Sequence, residues 1–170
     1  LDGEASGGAI RIESANSTTD LANAINFKQS KFIGNYVKSK QSSEGGAVYA
    51  NKNTVFENCL FVKNGAIAGY GASVNTYENA RGGAIYSGGG VSTTGVITII
   101  ANSTFDSSYV DVRTNSGNPR ATDIFYGYGS SNQSQKAYVF NTIVTGSYRL
   151  RGGADYTEEE KNKVFYSDDD

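Results

Sequence analysis

The sequence predicts an all-β protein whose short parallel strands stack as the coils of a solenoid. Two observations predict this fold: a motif of two glycines, an alanine and an aliphatic residue recurs at an even spacing, and a second motif alternates with it. The composition agrees, because the 170 residues include 21 Gly, 12 Tyr and 8 Phe, while only 38% of them are hydrophobic. Such a chain has a thin core and many turns, which disfavours a helical bundle.

The first motif marks one position on each coil. It occupies residues 7–10, 45–48 and 82–85, and an altered copy, Ala-Thr-Asp-Ile, occupies residues 121–124. The aliphatic residues that end these copies follow one another at steps of 38, 37 and 39 residues. Even spacing of this length is typical of stacked repeats. The paired glycines are expected at a bend where the backbone of one coil approaches the next with no Cβ atom between them.

The second motif supplies the columns of the interior. Its copies lie at residues 29–35, 58–64, 102–108 and 141–147, at steps of 29, 44 and 39 residues. Four columns keep their chemistry from copy to copy: Phe27/Phe56/Ile100/Val139, Gln29/Asn58/Asn102/Asn141, Ser30/Cys59/Ser103/Thr142 and Phe32/Phe61/Phe105/Val144. Because neighbouring strands lie about 4.8 Å apart, like residues of successive coils are expected to stack directly on one another.

The unequal steps indicate long loops between the strands. Polar stretches rich in Gly, Ser and Asn lie at about residues 13–24, 37–44, 65–81, 113–119 and 128–136. The prediction is therefore one domain over residues 1–170, with about four coils and long loops.

The C-terminal segment has two interpretations. Residues 157–160, Thr-Glu-Glu-Glu, have the pattern of a capping box, which predicts a short C-terminal helix over the end of the solenoid. Alternatively, residues 164–166 begin another coil. Because the chain starts with Leu in place of an initiator Met and stops after a run of three Asp, we expect it to be processed or to be a fragment of a longer protein.

The two motifs together resemble the repeats of the polymorphic outer-membrane proteins and related bacterial adhesin-like proteins. The signatures of those repeats are Gly-Gly-Ala-(Ile/Leu/Val), matched at residues 7–10, 45–48 and 82–85, and Phe-x-x-Asn, matched at residues 32–35 and 61–64. The resemblance covers about residues 5–150 and implies a right-handed parallel β-helix of the pectate-lyase-like type. It also implies a non-catalytic, extracellular or cell-surface adhesion module that binds a host or environmental glycan or protein.

Composition excludes several kinds of chemistry. With a formal charge of −2, the chain has no excess of basic residues for nucleic-acid binding. It has no His, which excludes a Ser-His triad and His-ligated zinc, and we expect no metal or cofactor. Its one cysteine, Cys59, falls in a column of small residues and is expected to be a structural core residue. No apolar run reaches the roughly 18 residues of a membrane span, so no direct membrane insertion of this segment is expected.

One column next to the first motif is the leading candidate for ligand binding. Strand alternation places it on the outer surface, because its neighbour in sequence is the apolar column Ile10/Val48/Ile85/Ile124. The column, which we call the aromatic row, consists of Arg11, Tyr49, Tyr86 and Phe125. Exposed rings would stack on sugars or on a partner protein. The alternative is that these rings pack under a loop or simply cover the sheet.

Two further sets of residues complete the candidates. Tyr70 and Tyr77 lie in the long insertion at residues 65–81 and are candidate ligand contacts. Glu44 and Arg81 precede successive glycine pairs, so they are expected to form an ion pair between neighbouring coils.

The main rival hypothesis is a polysaccharide-active enzyme, a lyase or hydrolase. It would use an acidic cluster in the third coil, formed by Asp106, Asp111, Arg113, Arg120 and Asp123. Clustered carboxylates serve such enzymes as general acids and bases or as calcium ligands, beside a cation that handles the substrate carboxylate. A purely structural stalk is the third hypothesis.

Overall fold

The computed structural model describes residues 3–13, 21–72, 78–88, 96–115, 117–126 and 136–149. These residues form short strands in five sheets, and every strand pairing in them is parallel. A single 3-10 turn, Leu21–Asn23, is the one helical element of the described part of the chain. The predicted all-β solenoid is therefore confirmed.

The chain passes through the five sheets in the same order on each of the first three coils. Sheet 1 contains β1 (Ala5–Ser6), β6 (Ser43–Glu44), β11 (Asn79–Arg81) and β16 (Asn118–Arg120). Sheet 2 contains β2 (Ile10–Ile12), β7 (Val48–Ala50), β12 (Ile85–Ser87), β17 (Ile124–Tyr126) and β20 (Tyr148–Arg149). Sheet 3 contains β3 (Ile25–Lys28), β8 (Thr54–Glu57), β13 (Ile97–Ala101) and β18 (Lys136–Phe140). Sheet 4 contains β4 (Lys31–Ile33), β9 (Leu60–Val62), β14 (Thr104–Asp106) and β19 (Ile143–Val144), and sheet 5 contains β5 (Tyr36–Lys38), β10 (Gly65–Ala68) and β15 (Tyr109–Val112).

The pairing register matches the predicted columns residue by residue. Val48 pairs with both Ile10 and Ile85, and Ile85 pairs in turn with Ile124. The phenylalanine column of sheet 4 is stacked as well, with ring centroids 4.7 Å apart for Phe32 and Phe61. Like side chains therefore lie over one another, as the even spacing predicts.

The interior is divided into two cores. The larger core is enclosed by sheets 2, 3 and 4 and contains the phenylalanine column of sheet 4 and the aliphatic column of sheet 2. The smaller core lies between sheets 5 and 1, where Val37, Ala66 and Ala80 are buried. Sheets 5 and 1 thus form a thin lobe beside the part of each coil that encloses the larger core.

The two cores are separated by a narrow waist, where the second glycine of each first motif meets the start of sheet 5. A Cβ atom on Gly46 would lie 1.9 Å from the carbonyl oxygen of Gly83 and 2.4 Å from that of Gly65. The first glycine of the pair, Gly45, has a φ of +67°, in the left-handed region that favours glycine. The prediction that the glycine pairs mark a bend with close backbone approach is confirmed.

Left-handed residues also form the corner between sheets 3 and 4. The amide column turns this corner with φ angles of 50°, 54°, 51° and 45° at Gln29, Asn58, Asn102 and Asn141. The Asn141 side chain donates a hydrogen bond to that of Asn102, 2.7 Å away. Asn tolerates this conformation better than other residues with a Cβ atom, and this hydrogen bond links the corners of the third and fourth coils.

The Asn of the Phe-x-x-Asn motif ties sheet 4 to sheet 5. Asn64 is fully buried, and its side-chain Oδ1 accepts hydrogen bonds from the backbone amide and the side-chain amide of Asn35, at 3.1 and 3.0 Å. Its own amide group donates to the carbonyl of Phe32 at 2.9 Å. The third coil has Ser108 at this position, and its shorter side chain makes no hydrogen bond of good geometry.

The fourth coil takes a shorter path than the first three. From β19, residues 145–147 lead directly to β20 in sheet 2. Thr122 stands here in the column of the waist glycines and exchanges hydrogen bonds with Ser147 at 2.9 and 2.8 Å. In the fourth coil the segment that packs against this position is the short link at residues 145–147 and not a strand of sheet 5. This difference explains why the copy of the motif at residues 121–124 lacks the glycines.

The remaining expectations concern membrane-spanning helices, the C-terminal segment and Tyr77. No helix in the described ranges is long and apolar enough to cross a membrane. The predicted C-terminal helix and the alternative coil at residues 164–166 both lie outside the described residues. Tyr77 lies outside them as well.

Candidate functional site

The aromatic row forms as predicted on the outer surface of sheet 2. The Tyr49 and Tyr86 rings stack with centroids 5.3 Å apart, and those of Tyr86 and Phe125 with centroids 5.4 Å apart. The Arg11 guanidinium lies 5.4 Å from the Tyr49 ring centroid. The register of the sheet thus builds a continuous row that lies outside the main core.

The prediction that this row is exposed is wrong for two of its members. Tyr86 is 5% exposed and Phe125 is 4% exposed, and both pack with Ala121 in a cluster of their own. Neither ring can offer its face to a ligand. For these two residues the packing alternative is correct, and only Tyr49 and Arg11, at the first coils, remain candidate ligand contacts.

A column of charged residues in sheet 1 contributes to this burial. Glu44 and Arg81 form the predicted ion pair, with an N–O distance of 3.0 Å, and the Arg81 guanidinium lies 5.6 Å from the Phe125 ring centroid. Burial raises the pKa of Glu44, although Arg81 opposes the shift, and burial likewise raises the pKa of Tyr49 and Tyr86. The row is therefore a packed junction between sheets 1 and 2.

A second aromatic surface lies on the outer face of sheet 5. Tyr36 is 59% exposed and Tyr109 is 40% exposed, and both pair in register with Gly65, which lies between them. The Tyr109 ring covers Gly65 so closely that a Cβ atom there would lie 2.1 Å from its Cζ. The two rings therefore lie in one column along the solenoid axis.

Tyr70 extends this surface beyond the end of β10. Its ring is 45% exposed, its backbone amide donates to the carbonyl of Ser39, and the Lys38 Nζ lies 3.2 Å from the ring centroid. The Arg113 guanidinium lies 5.8 Å from the same centroid and is paired with Asp111 at 2.7 Å. The Lys38 ammonium, with a smaller effect from Arg113, lowers the pKa of Tyr70.

We call this surface the tyrosine face. It consists of Tyr36, Tyr109 and Tyr70 together with the adjacent Lys38 and Arg113. A depression of about 360 Å³ adjoins it, lined by Lys38, Ser39, Lys40, Tyr70 and Gly71. Exposed rings beside cations suit the recognition of sugar rings or of polar partner groups.

Sequence reasoning identified Tyr70 but missed Tyr36 and Tyr109. Their signal is present, because each directly follows a copy of the second motif, where the middle coil has Gly65. The second motif ends at its Asn, so the column formed by the next residue of each copy lies just outside the pattern.

The acidic cluster is only partly brought together. Asp111 is paired with Arg113 on the outer face of sheet 5, whereas Asp106 binds the hydroxyls of Ser107 and Thr145 at 2.9 and 3.3 Å. Arg120 lies in β16 on sheet 1 and is partly buried. The five residues thus do not converge on one open cleft.

Asp123 is fully buried and has a structural environment. Its Oδ2 accepts a hydrogen bond from the Gly146 amide at 2.7 Å, and Ser108 lies close enough to stabilise the charged carboxylate as well. Burial is the largest cause that raises its pKa to about 6, and Asp106 adds to the shift. A general acid must reach its substrate, and a carboxyl group with no exposed surface cannot contact a polymer.

The remaining candidates for chemistry are limited. Cys59 is buried in its column, as predicted, and burial raises the pKa of its thiol, so it is not an activated nucleophile. Among the residues that the structure describes, no three Cys, Asp or Glu side chains are grouped so as to hold a metal ion.

Comparisons with models of protein families, with curated proteins and with solved structures found no match.

Proposed function

We propose that this chain is a non-catalytic binding module, extracellular or displayed at a cell surface, that holds a glycan or protein ligand on its lateral surface. The observation that carries the proposal is the tyrosine face, where three tyrosines between 40% and 59% exposed lie on or beside one sheet. Large exposed aromatic groups lose little conformational entropy when they bind, and they dominate many interfaces.

The scaffold supports this role. The strands of sheet 5 pair with one another in a parallel hydrogen-bonded ladder, and their first residues pack against the glycine waist. The rings therefore lie on a backbone whose position is fixed on two sides. A rigid repeat scaffold that carries side chains and loops on a lateral surface is a common arrangement for recognition. The burial of Asp123 favours binding over catalysis, because a carboxyl group with no exposed surface cannot reach a polymeric substrate.

The test is a binding assay on immobilised glycans and matrix proteins with the double variant Tyr36→Ala/Tyr109→Ala. Loss of both rings is expected to weaken binding at least tenfold and to lower the urea unfolding midpoint only slightly, because neither side chain belongs to the two cores. The matched control is Ile33→Ala/Ile143→Ala, which removes two exposed apolar side chains from the outer face of sheet 4.

Three outcomes would contradict the proposal. If wild-type protein retains no ligand from the array, the chain is better described as a structural stalk. If the tyrosine variant and the isoleucine control bind equally to wild type, binding takes place elsewhere. Release of unsaturated or reducing ends from polysaccharides would instead support the enzyme hypothesis.

A further inference from the structure

The Tyr109 ring lies flat across the backbone of β10 on the outer face of sheet 5. A Cβ atom on Gly65 would lie 2.1 Å from the Tyr109 Cζ and 2.5 and 2.6 Å from its Cε2 and Cε1. A point in the plane of the ring, beyond Cζ, would be distinctly farther from both Cε atoms, so these distances place the missing Cβ directly over the ring face. Because one face of the ring rests on the backbone, the opposite face is turned to solvent, and Tyr109 is 40% exposed.

Tyr36 continues this surface in the first coil. It belongs to the same column as Gly65 and Tyr109, and it is 59% exposed. The Cα atoms of the two tyrosines are two strand spacings apart, about 10 Å along the solenoid axis. Because the Tyr109 ring reaches over the middle strand, the two rings form a strip across three coils. This strip is longer than one sugar ring, so a chain of sugars is needed to cover it.

Side chains of both charge signs surround the rings. In the next column of sheet 5, Ile67 pairs on one side with Lys38 and on the other with Asp111. The Asp111 carboxylate is bound to the Arg113 Nε at 2.7 Å. At the first coil, Glu4 lines a groove of about 500 Å³ together with Lys38. Cations and carboxylates therefore both border the aromatic strip.

From this geometry we infer that the ligand of the tyrosine face is a neutral polysaccharide, whose sugar rings stack on Tyr109 and Tyr36 while its hydroxyl groups bind the charged side chains around them. The inference rests on the proposed function and names its ligand class. The C–H face of a sugar ring is apolar and suits a flat aromatic ring. A hydroxyl group both donates and accepts hydrogen bonds, so one uncharged chain can bind cations and carboxylates alike.

Charged polymers and peptides fit this surface less well. A polyanion would approach Asp111 and Glu4, and a polycation would approach Lys38 and Arg113, and like charges brought together weaken binding. A peptide most readily joins a sheet by adding a strand to an unpaired edge. The backbone of β10 is paired on both sides, so recognition along the strip falls to side chains.

The experiment measures binding of the whole chain to neutral, anionic and cationic saccharides. The neutral probes are cello-oligosaccharides, galactan, mannan and dextran, and the charged probes are polygalacturonate and glucosamine oligomers. Wild-type protein is expected to bind at least one neutral probe at least tenfold more tightly than either charged probe. Because that ligand is uncharged, its affinity is expected to stay the same between about 0.05 and about 0.3 M salt. Saturation-transfer NMR is expected to show the strongest transfer to the C–H protons of the sugar rings.

Substitutions at the flat ring separate stacking from other contacts. Tyr109→Phe keeps the ring and is expected to retain the wild-type affinity for the preferred neutral probe, whereas Tyr109→Ala is expected to lose at least tenfold. Gly65→Ala keeps both tyrosines but places a methyl group under the ring, and it is expected to lose severalfold. The control Tyr138→Ala removes a tyrosine from the outer face of sheet 3 and is expected to leave the affinity unchanged. Urea unfolding shows that each variant is folded.

Failure of this inference is distinguishable from failure of the proposed function. Tighter binding of either charged probe than of every neutral probe would overturn the neutral ligand. Equal losses in Tyr109→Phe and Tyr109→Ala would overturn stacking on the ring. If no saccharide binds, but a protein of the array does and the Tyr36→Ala/Tyr109→Ala variant loses it, the binding module stands and the polysaccharide is wrong. No binding to any saccharide and none to the array removes both.

Discussion

At the scale of single residues, the position that departs most from the repeat pattern is Asp123, which lies beside the link between sheets 4 and 2. In the first motif the third residue is Ala, buried at Ala47 and Ala84, and the fourth copy has Asp123 instead. Its carboxyl group accepts a hydrogen bond from Gly146, in the link that connects sheet 4 directly to sheet 2. The polar side chain satisfies a backbone amide of that link, which an alanine would leave without this partner.

Asp123 makes stability depend on pH in a direction opposite to that of most carboxyl groups. Burial raises its pKa to about 6, above the roughly 3.9 of an exposed Asp, so the folded state binds the proton more tightly. Stability is therefore expected to fall as the pH rises from about 4 to about 6 and then to level off. The full difference between the two pKa values corresponds to about 3 kcal/mol.

The check is urea unfolding of wild type and Asp123→Asn at pH 4.5, 5.5 and 7.5. Asn keeps an oxygen for the Gly146 amide but never ionises, so the variant is expected to gain on wild type as the pH rises. Asp111→Asn, in the exposed pair with Arg113, is the control and is expected to follow the wild-type profile. Parallel profiles for wild type and Asp123→Asn would show that Asp123 ionises as freely in the folded state as in the unfolded chain.

At the scale of elements, the waist determines how five sheets fit around two cores. In each of the first three coils the backbone approaches itself closely once, where the second glycine of the first motif meets the first residue of a strand in sheet 5. A side chain at Gly46 would meet backbone atoms on two sides, from Gly83 and from Gly65, and backbone atoms cannot yield as a side chain does. The lobe of sheets 5 and 1 therefore depends on glycine at this column.

Gly46→Ala is accordingly expected to destabilise the protein by more than about 3 kcal/mol, or to prevent folding. The matched control is Gly34→Ala. Gly34 has a φ of +67° but open space around it, so the expected cost is about 1–2 kcal/mol from the left-handed conformation alone. Lys63 and Ser107, one and two coils further on, adopt a φ of 54° at the same position. Chemical unfolding of both variants measures the difference. Equal losses of unfolding free energy would mean that the backbone at the waist shifts to accommodate the added methyl group.

The elements that sequence reasoning predicted well are those fixed by vertical stacking. The registers of sheets 2, 3 and 4 follow from the columns, because a slip of one residue would exchange the inward-facing and outward-facing positions of a strand. Exposure was harder to predict, since alternation gives the side of the sheet but not what covers it. Tyr86 lies on the outer side as expected and is nevertheless buried in a cluster with Ala121 and Phe125.

The division into two cores could not be predicted from the sequence. A steady step of 37 to 39 residues fixes the length of a coil but not the path that the coil takes in cross-section. The small residues of sheets 5 and 1, such as Ala66 and Ala80, indicate a thin lobe only once the pairing of both sheets is known. For the same reason the tyrosine face, on the outside of that lobe, was found only in part.

At the scale of the whole molecule, the protein is close to one-dimensional, because each coil contacts mainly the coils before and after it. The phenylalanine column makes this measurable. Phe61 stacks on Phe32 at 4.7 Å and on Phe105 at 4.5 Å, whereas Phe32, in the first coil, stacks within the column on Phe61 alone. A central ring therefore supports two interfaces between coils and the first ring supports one.

Phe61→Ala is expected to cost about 3–5 kcal/mol of unfolding free energy, and Phe32→Ala about half as much, although both are large-to-small changes of one residue type. Ile33→Ala, next to Phe32 but exposed, is the control and is expected to stay within about 0.5 kcal/mol of wild type. Urea unfolding gives the global values, and amide hydrogen exchange shows where protection is lost. In a nearest-neighbour solenoid, Phe32→Ala should raise exchange mainly in β3 to β5, whereas Phe61→Ala should raise it in coils on both sides of β9. Equal free-energy losses with uniform exchange would mean that the coils unfold as a single cooperative unit. The cost of a Phe→Ala substitution would then not depend on the coil that carries it.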